Sequence, residues 1–461
     1  MNRNWFSLAI LALIGINLGW VWLISPGSLF MLLLVVFFTA MLSLLSKAED
    51  RRFLMTLFLL GLGLRVLICL FFVFISIFFK RNIWITGDGW GLYNYAWAFT
   101  QCVDVWKEFV FMEAVDGSLY IAPCPLARIW EYGYNGFTYL LGGIYYFFGP
   151  LKFSSRILNC LMGAGIGIFI YHIAKDIFGM AVAKLSAVLA VFTPSLFLWS
   201  LTLMKDIPFI LTTTLILWSF LRYLKTKKIF YLFTLCLAIL GQYTIRPQFT
   251  IGFILLSLLL SYFVLSKLSR RTKLYITLCL FLLMIPVSLN SKLNDLVRGQ
   301  MHRIINYSRG IIASEGSTYK VFDDKYYSPG SLSQAEYISF TDFVKGILRG
   351  WFYFILVPFP WKIYSRLQML SYPQVLLWYL FLPFVFLGII SALRYKWRET
   401  FVILSYIIIT GTMVVITSGN IGTVFRHRDM FTPLFLIFGS LGLLKVSGRL
   451  KNLNREEANA L

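Results

Sequence analysis

The chain has 461 residues, of which 59% are hydrophobic, 18% aromatic and only 13% charged, and its formal net charge is +22. Soluble domains run about 45–50% apolar and about 25% charged, so a water-soluble globule is excluded, as are a disordered chain, a coiled coil and a disulfide-rich secreted scaffold. Apolar runs recur along almost the whole length, which also excludes a soluble enzyme on a single anchor.

A run of about 17–25 apolar residues crosses a bilayer as a helix. In chain order the pattern predicts twelve spans, at 5–24, 29–45, 53–79, 157–174, 182–199, 207–223, 229–244, 249–266, 272–289, 374–393, 400–418 and 429–446. The first does not read as a cleavable signal: no small-residue cleavage site follows it, and only Ser25 to Ser28 separate it from the second. Two further apolar segments fall short of a span. Residues 138–149 are too few, and residues 343–358 are interrupted by Lys345 and Arg349. Counting either as a span would invert every later loop, so both are expected to be interfacial or re-entrant helices on the outer face.

Lys and Arg in short loops set the orientation. With both termini in the cytoplasm, the inner turns hold 21 of the 42 basic residues against six acids, and the outer turn Ser25 to Ser28 carries no charge. The basic excess is thus a topology signal. It is spread over many loops rather than one face, so a nucleic-acid partner is set aside. The expected fold class is an all-α polytopic membrane protein, a bundle of about twelve transmembrane helices with two large extracytoplasmic loops that carry interfacial helices. The expected divisions are a transmembrane module over 1–289, with outer loop 80–156; a second outer loop over 290–373; and C-terminal helices with a short cytoplasmic tail over 374–461.

Loop sizes bound the function. No inner loop exceeds about a dozen residues, whereas a nucleotide-binding βαβ domain needs on the order of 100. No GxxxxGK[ST] and no strand-bounded GxGxxG occurs. A nucleotide cofactor is therefore not expected, and chemistry belongs on the outer face. A transfer reaction there needs a donor that is already activated and already in the membrane. No internal repeat of the kind transporters often carry is visible.

Asp88 lies just after the third span in Ile85-Thr-Gly-Asp-Gly-Trp-Gly-Leu-Tyr93, between Gly87 and Gly89, which permit a sharp turn and close approach to a ligand. Trp90 and Tyr93 follow and suit a sugar face or a lipid boundary. A carboxylate at the membrane edge can act as a general base; it can equally start the next helix as a cap. Asp206, in Lys205-Asp-Ile-Pro208, opens the sixth span, where the macrodipole alone favours an acid. Both acids fall at the outer boundary, where they could share a cleft or a divalent cation. Arg156, Arg246, Arg426 and Arg428 fall at the same boundary. Each singly can be a snorkelling anchor; together they could hold a phosphate or pyrophosphate. Arg65 sits near the middle of the third span, so it should face the bundle interior. Cys69, Cys160, Cys236 and Cys279 lie in spans, and Cys102 and Cys124 share the first outer loop, where a disulfide could form.

These features resemble the GT-C superfamily of integral-membrane glycosyltransferases, and within it the bacterial branch related to protein O-mannosyltransferases and lipid A aminoarabinose transferases. The matching landmarks are Gly87-Asp-Gly89 with Tyr93, then Tyr146-Phe-Phe-Gly149 and Arg156-Ile-Leu-Asn159, then Thr193-Pro194 through Lys205-Asp206. The similarity is best over 84–250. Adjacent acids and a His-Pro-Pro motif, common in the first loop of that branch, are absent. The resemblance implies a sugar donor on a polyprenyl-phosphate carrier, a lipid, glycan or protein acceptor, and a bacterial plasma-membrane setting. It further implies Asp88 as general base, an inverted product, boundary arginines on the departing phosphate, and a second outer loop that covers the acceptor. Two other readings stay open from the residues: a polysaccharide polymerase or ligase that uses lipid-linked oligosaccharide, and a lipid or polysaccharide transporter.

Overall fold

A computed structural model describes residues 26–45, 47–79, 91–97, 99–100, 136–148, 152–246, 251–265, 319–323, 326, 340–361, 366–417 and 419–448. Among the described residues the regular structure is helical and no sheet occurs. The helices are α1 (Pro26–Leu45), α2 (Ala48–Phe78), α3 (Gly136–Phe148), α4 (Lys152–Phe178), α5 (Met180–Phe192), α6 (Pro194–Ser200) and α7 (Asp206–Thr226). They continue with α8 (Ile229–Ile245), α9 (Ile251–Leu265), α10 (Phe340–Leu356), α11 (Arg366–Tyr395), α12 (Trp397–Thr417), α13 (Ile421–Asp429) and α14 (Thr432–Val446).

Among the described residues five helices are long and apolar enough to cross a membrane, and up to seven spans result if each of two bent pairs counts as one. The chain is an integral-membrane protein. The expected spans 5–24 and 272–289 lie outside the described residues.

Differences from the sequence expectation have local causes. The helix expected at 53 begins at Ala48, with Glu49 and Asp50 in its first turn, where the helix dipole favours acids. The expected span 182–199 is the pair α5 and α6, bent by 53° at Thr193–Pro194. Pro194 has no N–H to continue the ladder, and its ring crowds the carbonyl four residues back. The expected span 429–446 is preceded by a helix, α13, where a link was expected, and α13 meets α14 at 65°. Asn420 starts α13 by accepting from the amides of Gly422 and Thr423 at 2.9 and 3.2 Å.

The chain divides into two compact units. The first comprises Met1–Phe169, Ala187–Ile216 and Cys236–Pro247. Its core joins Phe58, Leu62 and Cys69 of α2 to Cys160, Leu161 and Ala164 of α4 and to Leu201 beyond α6. In lipid the hydrophobic effect does not drive helices together, so small residues and polar contacts do. Gly61 of α2 and Gly163 and Gly167 of α4 lie against the end of α5 and α6. A Cβ on Gly61 would stand 2.5 Å from a methyl of Val191, and one on Gly163 would stand 2.6 Å from Cβ of Ser200.

The second unit comprises Ile170–Ser186, Leu217–Leu235 and Gln248–Leu461. Here α11 and α14 meet backbone to backbone, and a side chain on Gly388 or Gly442 would overlap the carbonyl oxygen of Phe438 or Phe384. The hydroxyls of Ser261 and Ser405 join α9 to α12 at 2.9 Å. The two apolar segments too short or too interrupted to count as spans are both helical: α3 covers 136–148, and α10 is amphipathic, with Leu348 and Phe352 exposed and Gly346 against Phe322.

Candidate active site

The first unit gathers its polar side chains at the start of α4 and the start of α7. Asp206 is the first residue of α7, and its Oδ1 accepts from the guanidinium of Arg246. Arg246 closes α8, with its amide bonded to the carbonyl of Gln242 at 3.0 Å. Asp206 is 1% exposed and Arg246 5%. The Arg246 guanidinium also lies 5.8 Å from the ring centre of Phe209, one turn into α7. One turn further, Gln242 donates to the hydroxyl of Thr213 at 2.8 Å. These contacts fix α8 against α7 and hold the two charges together, as burial demands.

Between α6 and α7 the backbone at 201–205 is not helical. Side chains from α4 and α2 hold it. Asn159 Nδ2 donates to the carbonyls of Thr202 and Met204 at 2.6 and 3.0 Å. Arg156 lies one turn earlier on α4 and is 8% exposed. Behind it Arg65 is wholly buried, as a central arginine should be. Its guanidinium donates to the Gly61 carbonyl at 2.9 Å, the Val191 carbonyl at 2.6 Å and the Ser200 hydroxyl at 2.7 Å. Val191 stands in the last turn of α5, where helix carbonyls lack partners within the helix. Arg65 thus supplies a donor where Pro194 interrupts the ladder.

A chain of hydroxyls and rings leads from α4 through α3 to residues 91–97. Ser155 is bonded to the hydroxyl of Tyr145 on α3, and the Tyr145 ring lies 5.6 Å from that of Tyr93. Burial pushes both phenols above their ordinary pKa, so both stay protonated at neutral pH. Residues 91–97 are helical, so the segment just beyond Asp88 is seated next to the turn that carries Arg156.

Asp88, Trp90, Cys102 and Cys124 lie outside the described residues, and with them the expected disulfide. Asp206 and Arg246 are brought into direct contact. Arg426 and Arg428 belong to the second unit, on α13. Arg428 is 1% exposed. It donates to the carbonyls of Ile355 and Val357 at 3.0 and 2.9 Å and lies 4.7 Å from the ring centre of Trp378. It therefore closes the C-terminal end of α10. Tyr145 and Ser155 were not singled out from sequence, and Asn159 entered only as the end of the Arg156–Asn159 landmark, with no role of its own. The available hint was that Asn159 falls three residues after Arg156, on the same helix face.

Of the two acids expected to share a divalent cation, only Asp206 lies among the described residues. Among them no group of three His, Cys, Asp or Glu converges, and the carboxylate of Asp206 already faces a guanidinium, whose charge would repel a cation.

Comparison with known families bears on this same region. Residues 136–289 match the family model of dolichyl-phosphate-mannose-protein mannosyltransferases. The matched third of the chain agrees with the GT-C resemblance read from sequence. It contains Tyr145, Arg156, Asn159, Asp206 and Arg246, and it excludes Asp88, Tyr93, Arg426 and Arg428. No curated protein matches the chain.

Proposed function

We propose that this chain is a membrane glycosyltransferase that moves a sugar from a polyprenyl-phosphate carrier to a lipid, glycan or protein acceptor on the extracytoplasmic face. The observation that carries the reading is the mannosyltransferase-family match over the segment holding Arg156, Asp206 and Arg246. The apolar helices are long enough to cross a bilayer, where a lipid-linked donor resides. No nucleotide is required, because the lipid phosphate is itself the leaving group.

In this reading Asp88 takes the proton of the acceptor hydroxyl as its oxygen attacks the anomeric carbon. The bond from that carbon to the phosphate oxygen breaks, and the lipid phosphate leaves with the electron pair. One displacement inverts the anomeric centre. Arg156 and Arg246 neutralise the departing phosphate. Asp206 holds Arg246 in orientation, since a carboxylate beside a guanidinium is a weak base. Trp90 and Tyr93 contact the sugar. Roles for Arg426 and Arg428 at a phosphate, a cation between Asp88 and Asp206, and a Cys102–Cys124 bridge belong to the same proposal. So do the twelve-span topology with both termini cytoplasmic and the bacterial plasma membrane.

The test is transfer by the purified chain in proteoliposomes supplied with radiolabelled polyprenyl-phosphate sugar and membrane acceptors. A new glycosidic bond is expected. Movement of labelled lipid across the bilayer without product would establish a transporter instead. An EDTA arm reads the cation: loss of transfer restored by Mg²⁺ supports it, and undiminished transfer removes it.

A further inference from the structure

Non-helical backbone in or beside a bilayer persists only where protein groups satisfy it. The link 201–205 and the last residue of α6 meet that requirement through three side chains on two helices. Asn159 takes the carbonyls of Thr202 and Met204 at 2.6 and 3.0 Å. Cys160 donates to the carbonyl of Ser200 at 3.3 Å, and Cys69 to that of Leu201 at 3.6 Å. All three are wholly buried. Thiols are weak donors, so the amide is the strong member of the set, and two carbonyl acceptors fix which end of it faces the link. The link delivers the chain to Lys205 and Asp206, where the contact with Arg246 is made.

We infer that Asn159 is a positioning residue: by holding the carbonyls of Thr202 and Met204 it sets where α7 begins, and so where the Asp206–Arg246 pair stands relative to Arg156. Arg156 and Asn159 are one turn apart on α4, so a single helix end presents one cation and fixes the support of the other. Asn159 touches main chain and no group proposed to bind the donor. Its loss displaces Arg246, which is proposed to act mainly on the charge that develops on the leaving phosphate, so kcat should fall more than donor KM rises. The kinetic half of this inference rests on the glycosyltransferase reading; the structural half does not.

The experiment pairs two measurements on Asn159→Leu, which keeps the volume and removes both donors. Amide hydrogen exchange over 201–207 in nanodiscs is expected to accelerate by about tenfold or more. In proteoliposomes with radiolabelled polyprenyl-phosphate sugar, kcat is expected to fall by about 30-fold or more with donor KM within about threefold of the unaltered chain. Ser261→Ala, which removes a hydroxyl contact in the second unit, should move neither quantity. Unchanged exchange overturns the inference whatever the activity. Faster exchange with kcat within about threefold also overturns it, since the link then moves without consequence. Should the unaltered chain transfer no sugar, the functional reading falls, and the exchange result alone decides whether Asn159 holds the link. If Asn159→Leu does not accumulate in the membrane, Asn159→Ser, which keeps one short donor, is read by the same two criteria.

Discussion

Asp206 opens α7 with a carboxylate oxygen on the guanidinium of Arg246, forty residues further along the chain. Neither side chain has appreciable access to solvent. Removing one partner of a buried pair strands the other charge and costs about 3–5 kcal/mol. Asp206→Asn and Arg246→Met are each expected to lose stability on that scale. The double variant should lose less than the sum, with a coupling above about 1 kcal/mol. Unfolding of the detergent-solubilised variants measures this. Additive losses would mean that the two residues act separately.

Asp88 carries the proton-transfer step of the proposed reaction. Asp88→Asn keeps the shape of the side chain and removes the base. Loss of a positioned base lowers turnover by about 10²–10⁴-fold. Membrane abundance should be normal and donor binding retained. Near-normal transfer by Asp88→Asn would instead favour the polymerase or ligase mechanism, which relies on arginine and histidine. The radiolabel assay separates the two.

What the sequence made legible was what local chemistry determines. Runs of apolar residues located α2, α4, α7 and α11 because a bilayer-crossing helix needs a certain length. Arg65 was legible as inward-facing because a charge in hydrocarbon is costly. Its acceptors on Val191 and Ser200 were not, because they lie more than a hundred residues away in sequence. Asp206 was legible as an acid at a helix start, but its partner Arg246 reaches it only through the packing of α8 on α7. Pro194 stood in plain view inside the expected span 182–199, but the bend there and the Arg65 donor that meets the Val191 carbonyl beside it are seen only once α2 packs on α5. Asn159 had no periodic signature, since one amide in an apolar run reads as a tolerated polar residue until the link it holds is seen.

Arg65 therefore invites a direct test. Its guanidinium serves two backbone carbonyls and a hydroxyl and lies 4.4 Å from the ring centre of Phe197. Arg65→Leu leaves the Val191 carbonyl and the Ser200 hydroxyl without that donor, at about 1–3 kcal/mol for each buried group left unsatisfied. Arg65→Lys keeps the charge but not the planar fork, and should recover only part of the loss. Thermal unfolding in detergent reads the order: unaltered chain, then Arg65→Lys, then Arg65→Leu. Equal stability of all three would show that these acceptors are served by other groups.

Two glycines on one helix turn the packing argument into a comparison. Gly61 and Gly63 are two residues apart on α2 and face different surroundings. A Cβ on Gly63 would meet nothing within 4 Å, whereas one on Gly61 would stand 2.5 Å from a Val191 methyl and 3.3 Å from the Arg65 guanidinium. Gly63→Ala should be neutral or stabilising by up to about 1 kcal/mol, the usual helix preference for alanine over glycine. Gly61→Ala should cost about 1–3 kcal/mol, as overpacking does in a filled core. If the collision is with Val191 itself, Val191→Ala in the same chain makes room, and the double variant should be more stable than the sum of the single losses allows. Equal effects of the two glycine substitutions would separate α2 from the end of α5 and remove the basis for the Arg65 contacts as well, because both depend on the same close approach.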